Sequence, residues 1–372
     1  MGSLPDSHSS PPPPKPWVST PLIYSPPLSR IAGCNIYLKL ENVQPSGSFK
    51  SRGIGNMMYN ATQKQTPNQK IHFFSSSGGN AGLACALTSS LFFPSSRCTI
   101  VVPTTTSPLI VAKLRDELGA EVIQTGESWV EADTFLRTQL LDTPAKDGDG
   151  DGEVRKVYVP PFDHPDIWTG VSTLVDELAR DVEEGRILGG SRGVDAVVCN
   201  VGGGGLVNGI MLGLERNAKR LGSSAGGTKV VAVETEGADS LHASVRAGEL
   251  VTLPAITSIA TSLGARRVSE KTWEWWLRKG SGEEGEGTML SVTVTDREAA
   301  EACLRFLDDA RMLIEVSCGA TLATVYNGGL RRWLGKGLSE EEWRRRNVVL
   351  VVCGGSNVSL GVLEGYKEKF GL

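Results

Sequence analysis

The chain has 372 residues, of which 40% are hydrophobic and 22% charged, and its formal net charge is −4. This length allows two domains with separate cores, and the balanced charge gives no electrostatic reason to expect binding to nucleic acid. No stretch is long and apolar enough to suggest a membrane span, so we expect no membrane partner.

The N-terminal residues 1–16 are rich in proline and serine and predict a disordered tail. They lack the apolar segment of a secretory signal and the arginines of a transit peptide. The seven cysteines are scattered and form no CxxC pair, which argues against a disulfide framework or a zinc site. We therefore expect a reduced, cytoplasmic protein.

Short β-rich runs alternate with longer helical patterns along the chain. The runs are apolar nearly throughout, as in parallel strands that helices cover on both faces. They occupy residues 71–77, 98–103, 121–126, 156–160, 195–202, 229–237 and 347–355. Helical periodicity covers residues 79–93, 107–119 and 296–312. This alternation predicts an α/β fold with two doubly wound domains and mainly parallel sheets.

Residues 142–156 begin like a calcium-binding loop, with Asp147, Asp149 and Asp151 at alternate positions. The twelfth position of such a loop is Tyr158, where a glutamate is required, so a solvated surface insertion is the better interpretation. Residues 280–287 likewise predict a polar loop.

The stretch "QPSGSFKSRG" places Lys50 directly after a turn of small residues. The lysine could be a solvated surface charge. It could also be an amine held in a pocket, because Gly47 lets the backbone approach a ligand closely.

The stretch "NVGGGGLVNGI" puts Gly202 to Gly205 after a strand and before a helix. Bare backbone N–H groups at a helix N-terminus favour an anion such as phosphate. Neither GxGxxG nor GxxxxGK[ST] is present, and no acid follows at the offset of a ribose ligand, so a phosphomonoester fits better than a whole nucleotide. The alternative is a flexible glycine turn.

Two further strand ends carry candidate ligand-binding residues. In "SSSGGNAG", residues 75–82, the hydroxyls and Asn80 could hold a small carboxylate, although a helix cap with a tight turn is the simpler explanation. In "VVCGGSN", Cys353 ends a strand and would by default be a buried structural cysteine. Taken together, the four motifs predict a site for a phosphorylated cofactor that carries an aldehyde.

The order and spacing of these motifs resemble the fold type II pyridoxal-phosphate enzymes, which share the tryptophan synthase β architecture. The nearest resemblance is to the serine dehydratase/threonine deaminase family of L-serine ammonia-lyases, and it runs from about Thr20 to Gly361. It also includes "TPL", "PPFDHPDIWTG", "VETEGADS", "ITSIATSLGA" and "CGATLATVY". The resemblance implies pyridoxal 5'-phosphate as cofactor and a small amino acid as substrate.

Family roles can be carried onto matching positions of this chain. Lys50 matches the lysine that forms the Schiff base and acts as catalytic base. Ser77 and the cofactor phosphate are the two candidates for the catalytic acid. The resemblance implies that the cofactor is held by Phe49, Lys50, Asn80, Gly202, Gly203, Gly204, Gly205, Leu206 and Cys353. It implies that the substrate is held by Ser77, Gly79, Asn80 and Ala81. Cys353 matches the residue that faces the pyridine nitrogen, where relatives such as serine racemases more often carry serine.

The resemblance also implies a monovalent cation, expected to be potassium, and a homodimer. The positions matching the cation ligands are Gly202, Glu234, Ala238, Ser240, Leu263 and Ala265. Without the family, Glu234 would be interpreted as a structural acidic residue at a strand end. Two domains are implied as well: a small one over 44–172 that carries Lys50, and a large one of 17–43 plus 173–372.

The predicted function is β-elimination from L-serine, and also from L-threonine, giving pyruvate or 2-oxobutanoate and ammonia. A threonine-preferring deaminase or a serine racemase on the same fold is an alternative. A non-catalytic relative that binds the cofactor is an alternative from another class, and a nucleotide-binding oxidoreductase is disfavoured by the missing ribose ligand. One departure from the liver-type members is Gly78, where those carry alanine, which leaves the turnover rate and substrate preference open.

Overall fold

The computed structural model describes residues 14–66, 68–142, 153–187, 193–222, 227–280 and 287–372. Residues 1–13 of the predicted tail, the calcium-loop-like Asp147, Asp149 and Asp151, and residues 281–286 of the predicted polar loop lie outside them. In this described part of the chain, no helix combines the length and apolar composition needed to cross a membrane.

Ten strands occur in the described residues, and they form two sheets. In chain order they are β1 (Leu22–Tyr24), β2 (Asn35–Leu40), β3 (Lys70–Ser75), β4 (Arg97–Val102), β5 (Glu121–Gln124), β6 (Val154–Tyr158), β7 (Ala196–Asn200), β8 (Lys229–Thr235), β9 (Met289–Val294) and β10 (Asn347–Val352). The larger sheet has the order β1-β2-β10-β7-β8-β9, and the smaller one β5-β4-β3-β6. Neighbouring strands are parallel except for β1 and β2. The predicted α/β fold with mainly parallel, doubly wound sheets is confirmed.

Helices connect the strands and cover the sheets. They are α1 (Pro26–Ala32), α2 (Lys50–Gln63), α3 (Asn80–Phe92), α4 (Pro108–Ala112), α5 (Trp129–Phe135), α6 (Pro165–Glu183), α7 (Gly205–Asn217), α8 (Ser240–Ala247), α9 (Glu270–Lys279), α10 (Asp296–Ala310), α11 (Val316–Tyr326), α12 (Gly329–Leu334), α13 (Glu340–Arg344) and α14 (Leu360–Phe370). Helix α4 continues into a wider π-helical turn, which completes the helical stretch predicted over 107–119.

The register of the larger sheet brings two of the candidate loops together. Leu350 of β10 pairs with Val198 of β7, and both strands end a few residues later. Because the strands are parallel, residues 201–205 and 353–355 leave the sheet side by side at its carboxyl edge. Ligands of open α/β sheets bind at this edge.

Three strands, β1, β2 and β9, are absent from the sequence-based prediction. Strand β2 lies inside the larger sheet, but its sequence "NIYLKL" contains Lys39, which interrupts the apolar pattern. Lys39 is nevertheless completely buried. Its charge is compensated by Glu177, which is far away in sequence and cannot be recognised as its partner from local pattern.

The predicted domain division stays a prediction. The strands of the smaller sheet lie between residues 70 and 158, and those of the larger sheet within 22–40 and 196–352. Helix α6, Pro165–Glu183, runs without a break across the predicted boundary at residue 172.

A buried network of charges joins helix α2 to the larger sheet. The Nε atom of Arg52 lies 2.7 Å from Oε2 of Glu41, and its Nη1 lies 2.7 Å from Oε1 of Glu177. Lys39 Nζ is 2.6 Å from the other oxygen of Glu177, and the Thr20 hydroxyl donates to Glu41. Burial raises the pKa of Glu177, but Arg52 and Lys39 outweigh burial and bring that pKa below its usual value. The two cations and two carboxylates balance one another.

Replacing Arg52 tests how much this network contributes to stability. Arg52→Met leaves two buried carboxylates facing only Lys39, and removing one partner of a buried ion pair typically costs about 3–5 kcal/mol. We therefore expect the free energy of unfolding, measured by urea denaturation, to fall by about that amount. Arg345→Met is the control, because it breaks only an exposed pair with Glu341 and should cost less than about 1 kcal/mol. Equal losses in the two variants would contradict the assignment.

Candidate active site

Lys50 is the first residue of helix α2 and follows a compact turn. The backbone N–H of Gly47 donates to the Gln44 carbonyl at 2.7 Å, and the Ser51 hydroxyl donates to that of Ser46 at 2.8 Å. The first bond closes the turn before the lysine, and the second spans the lysine. The local sequence therefore fixes where the backbone of Lys50 enters helix α2.

Lys50 is half-buried, and its amine is held against the protein. Its Nζ atom donates to the Pro161 carbonyl at 2.5 Å and is 5.2 Å from the centre of the Phe49 ring. Burial lowers the pKa of Lys50 to about 8, even though the neighbouring Cys353 and Glu315 favour the charged form. An amine with this pKa is readily available in its neutral, nucleophilic form near neutral pH.

The lysine turn is hydrogen-bonded to the loop that follows β10. The Phe49 N–H donates to the Cys353 carbonyl at 3.0 Å, and the Gly355 N–H donates to the Gly47 carbonyl at 2.9 Å. A β carbon on Gly354 would lie only 2.2 Å from that same Gly47 carbonyl oxygen. The glycine after Cys353 therefore allows the two segments to touch, and it keeps the Lys50 turn beside the cysteine.

The tetraglycine loop connects β7 to the N-terminus of α7. A β carbon on Gly203 would lie 2.4 Å from the Phe162 ring, and one on Gly204 would lie 1.8 Å from the Thr272 hydroxyl oxygen. Gly204 also has φ +100°, a backbone conformation that favours glycine. Its neighbours thus exclude side chains from the loop, which leaves backbone N–H groups at the positive end of a 13-residue helix as an anion site.

The segment 161–162 links the lysine to the glycine loop. The Pro161 carbonyl accepts the hydrogen bond of Lys50, and the next residue, Phe162, packs against Gly203 and Gly205. Both residues belong to the stretch that begins at Pro160 and contributes to the family resemblance, but the sequence analysis assigns neither a role. Their proximity to both partners is visible only in the structure.

Residues 76–79 lie between β3 and α3, and Asn80 begins the helix. The Gly79 N–H donates to the Ser77 hydroxyl at 3.2 Å. The Asn80 Nδ2 donates to Glu315, 3.0 and 3.1 Å from its two oxygens, and the Asn80 Oδ1 accepts from the Ser356 N–H at 2.9 Å. Asn80 therefore joins the smaller sheet to the loop that follows Cys353.

Cys353 is buried, and its hydrogen-bond partner is Asn200, the first residue of the tetraglycine stretch, to which the sequence analysis assigns no role. The Asn200 side chain donates to the Cys353 Sγ at 3.1 Å and to the Ser317 carbonyl at 2.5 Å. The neighbouring Cys318 and burial raise the pKa of Cys353 well above its ordinary value. The residue is therefore a neutral thiol. Asn200 precedes the glycine loop by two positions, and that placement at a strand end is the sequence signal that could have identified it.

The expected cation ligands lie in three segments: Gly202 in the glycine loop, Glu234 to Ser240 from the end of β8 to the start of α8, and Leu263 to Ala265. A β carbon on Gly202 would lie 3.1 Å from the Leu263 Cα, and the Ala265 N–H donates to the Leu263 carbonyl. Glu234 is fully buried and accepts N–H bonds from Leu241 and His242, at 2.8 and 2.7 Å. Burial raises the pKa of Glu234 to about 8.

The remaining predicted positions are also buried. Ala238 has no exposed surface, and the hydroxyl of Ser240 is buried without a hydrogen-bond partner. Leu206 and Ala81 are buried in the first turns of α7 and α3. Within the described residues, no cluster of three histidine, cysteine or acidic side chains could hold a metal. A cation here would therefore depend mainly on backbone and hydroxyl oxygens.

All seven cysteines lie in the described part of the chain, and each is free and buried. Cys85 and Cys98 face each other in the smaller sheet region with their sulfurs 3.8 Å apart.

Comparisons with known proteins agree with this geometry. A family model described as "pyridoxal-phosphate dependent enzyme" matches residues 15–368. A catabolic L-serine/threonine dehydratase of Saccharomyces cerevisiae is 40% identical, over 90% of this chain and 86% of that protein. A serine dehydratase-like protein of Rattus norvegicus is 44% identical over 94% of both chains. The crystal structure of a fungal L-serine ammonia-lyase from Rhizomucor miehei is 34% identical, with a TM-score of 0.79 over 95% of this chain and 99% of the other.

Together the family match, the identities and the shared fold confirm the resemblance that the motif order predicted. The chain belongs to the family of pyridoxal-phosphate-dependent enzymes.

Proposed function

We propose that this chain is an L-serine ammonia-lyase that also accepts L-threonine, releasing ammonia and pyruvate or 2-oxobutanoate. The relatives named as serine and threonine dehydratases support this activity. The observation that carries it is the Lys50 amine, whose pKa is about 8, held beside Cys353 and linked through residues 161–162 to the glycine loop.

The donors and acceptors of the site fit pyridoxal phosphate. Gly202 to Gly205, with Leu206, would hold the phosphate through backbone N–H groups at the helix N-terminus. Asn80 would donate to the ring oxygen, Phe49 would pack on the ring, and Cys353 would face the ring nitrogen. The cofactor, when bound, supplies an aldehyde for Lys50 and an electron sink for the amino acid.

Lys50 is the proposed general base. Its pKa of about 8 lets the neutral amine take the proton from the substrate Cα at near-neutral pH, whereas an ordinary solvated lysine would remain charged. The Phe49 ring lies 5.2 Å from the amine and would shield it from water on one side.

The loop between β3 and α3 is the proposed substrate-binding segment. The substrate carboxylate would be held at the N-terminus of α3 by Ser77, Gly79, Asn80 and Ala81. The Ser77 oxygen accepts from the Gly79 N–H, and its own hydrogen meets no acceptor among the described residues. That hydrogen can therefore be donated to the departing β-hydroxyl group of the substrate.

Cys353 favours elimination over competing reactions. Because its pKa is raised, its thiol carries no negative charge at neutral pH. A neutral thiol, unlike a carboxylate, does not hold the ring nitrogen in its protonated form. This limits charge delocalisation and favours prompt loss of the β-hydroxyl group over transamination.

We also propose a potassium ion beside the glycine loop. The buried Ser240 hydroxyl without a partner and the buried Glu234 carboxyl support it, because both groups gain from a nearby cation. Gly202, Ala238, Leu263 and Ala265 would contribute backbone oxygens.

A cytosolic homodimer acting in amino-acid catabolism, and feeding gluconeogenesis through pyruvate, completes the proposal. Strand β1 lies at the edge of the larger sheet, and Ile23 and Tyr24 remain 42% and 37% exposed there. Apolar side chains on a sheet edge favour association with another protein surface.

The absorbance spectrum of the purified chain tests the cofactor and the reaction. With pyridoxal phosphate, the wild type should show a visible band that Lys50→Ala lacks, and L-serine should yield pyruvate. Lys50→Ala should lose roughly 10²- to 10⁴-fold or more in turnover, since it removes the general base. Lys64→Ala, an exposed lysine after the same helix, should behave like the wild type. A wild-type protein that stays colourless and makes no pyruvate would refute the function.

Substitutions at Gly78 and Thr106 should have non-additive effects, because the two residues lie in close contact. A β carbon on Gly78 would lie 2.9 and 3.0 Å from the Thr106 Cγ2 and Oγ1 atoms. Gly78→Ala should destabilise the chain by about 1–3 kcal/mol and raise KM for L-serine, as expected from overpacking. Adding Thr106→Ala should reverse much of both effects, which a double-mutant cycle of unfolding free energies and KM values would measure. If the effects of the two substitutions on unfolding free energy and KM simply add, contact with Thr106 is not what disfavours a side chain at position 78.

Potassium should stabilise the wild type and not a Glu234 variant. We expect potassium chloride to raise Tm by roughly 2 °C or more relative to tetramethylammonium chloride, whose cation is too large for a site of this kind. Glu234→Gln should remove this difference because it removes the only carboxylate among the proposed ligands. Glu236→Gln, which changes the neighbouring exposed carboxylate, is the control. An equal potassium effect in all three proteins would argue against the site.

A further inference from the structure

Glu315 is a fully buried carboxyl that no sequence motif includes. It lies immediately before helix α11, and its carboxylate meets Asn80 from the smaller sheet region and the Asn357 N–H from the loop after β10. A β carbon on Gly355 would lie only 1.9 Å from the Glu315 Cδ. The second glycine after Cys353 therefore makes room for this carboxyl.

The distances define how the Asn80 amide is oriented. Its Nδ2 lies 3.0 Å from one Glu315 oxygen and 3.1 Å from the other, which places the nitrogen on the bisector of the carboxylate. A single N–H bond directed between the two oxygens accounts for both distances. In this arrangement the second N–H of the planar amide points away from Glu315. Since the Asn80 Oδ1 accepts from Ser356, this second N–H is the donor left available to a ligand.

A carboxylate is the side chain that can enforce this orientation. An ionised carboxylate only accepts hydrogen bonds, so it must face the NH2 group of Asn80, whereas an amide at position 315 could pair with Asn80 in either orientation. Burial raises the pKa of Glu315 above its ordinary value, and the hydrogen bonds from Asn80, Asn357 and Ser262, with the charge of Lys50, only partly offset this rise and favour the ionised form.

We propose that Glu315 is a positioning residue that locks the Asn80 amide with one N–H free to meet the ring oxygen of pyridoxal phosphate. The inference rests on the proposed function. Glu315 does not itself touch the cofactor; it acts through Asn80.

Titration of the full-length, cofactor-free chain with pyridoxal phosphate tests the proposal. Glu315→Gln should weaken the affinity by about tenfold or more, because a hydrogen bond to a charged group is lost and the amide can flip. It should also shift the visible absorbance band, as Asn80→Ala should. Glu301→Gln, which removes a surface carboxylate from the neighbouring helix α10, should change neither. In the Asn80→Ala background, Glu315→Gln should cause little further loss of affinity.

Exchanging the amide and the carboxylate between positions 80 and 315 distinguishes a positioning role of Glu315 from a purely stabilising one. In the double variant Asn80→Asp with Glu315→Gln, the amide at 315 can donate to the carboxylate at 80, so the hydrogen bond returns and Tm should recover. The free N–H toward the cofactor is gone, so the affinity should stay low. Recovery of both Tm and affinity, or additive losses in the cycle with Asn80→Ala, would overturn the proposal for Glu315 alone. A wild type that binds no pyridoxal phosphate would overturn the proposed function itself.

Discussion

The position of the reactive amine depends on a charge that is buried two residues further along the same helix. Arg52 donates to two carboxylates that belong to different parts of the chain: Glu41 follows β2, and Glu177 lies in α6. Because an unpaired buried charge is so unfavourable, helix α2 has one strongly preferred position against both elements. That position sets where Lys50 enters the site and how near it comes to Cys353. The guanidinium thus helps to position the Lys50 amine through its contacts with Glu41 and Glu177.

The glycines of the site are explained by what surrounds them. Phe162 lies against Gly203, Thr272 against Gly204, and Glu315 against Gly355, each closer than a β carbon allows. In every case the large or polar neighbour comes from a distant segment of the chain. A glycine-rich motif is therefore easy to recognise in the sequence, whereas the residues that contact its glycines lie in distant segments and are not. The same neighbours also make the loops rigid, which suits a site that must hold a small ligand in one orientation.

Much of the fold follows from local sequence. The features that local sequence does not predict are missed for one shared physical reason. Continuous apolar runs identify β7 and β10, and strand-to-helix turns identify Lys50, Asn80 and the four glycines, because these signals need only neighbouring residues. Strand β2 is missed because Lys39 is buried through a partner 138 residues away. The roles of Glu315 and Asn200 are missed for the same reason. Each looks like an ordinary polar residue in the sequence, and only its distant partner shows what it does. Domain boundaries and the roles of individual site residues remain predictions.

The buried thiols are distributed over both sheets, so their reactivity can report local opening of each part of the fold. Cys85 and Cys98 lie in the smaller sheet region, whereas the other five cysteines lie in or against the larger sheet. A thiol reagent reacts with a buried cysteine only when the surrounding structure opens. The chain therefore carries native reporters of local opening in both halves, and the order in which the peptides become labelled would reveal which half loosens first.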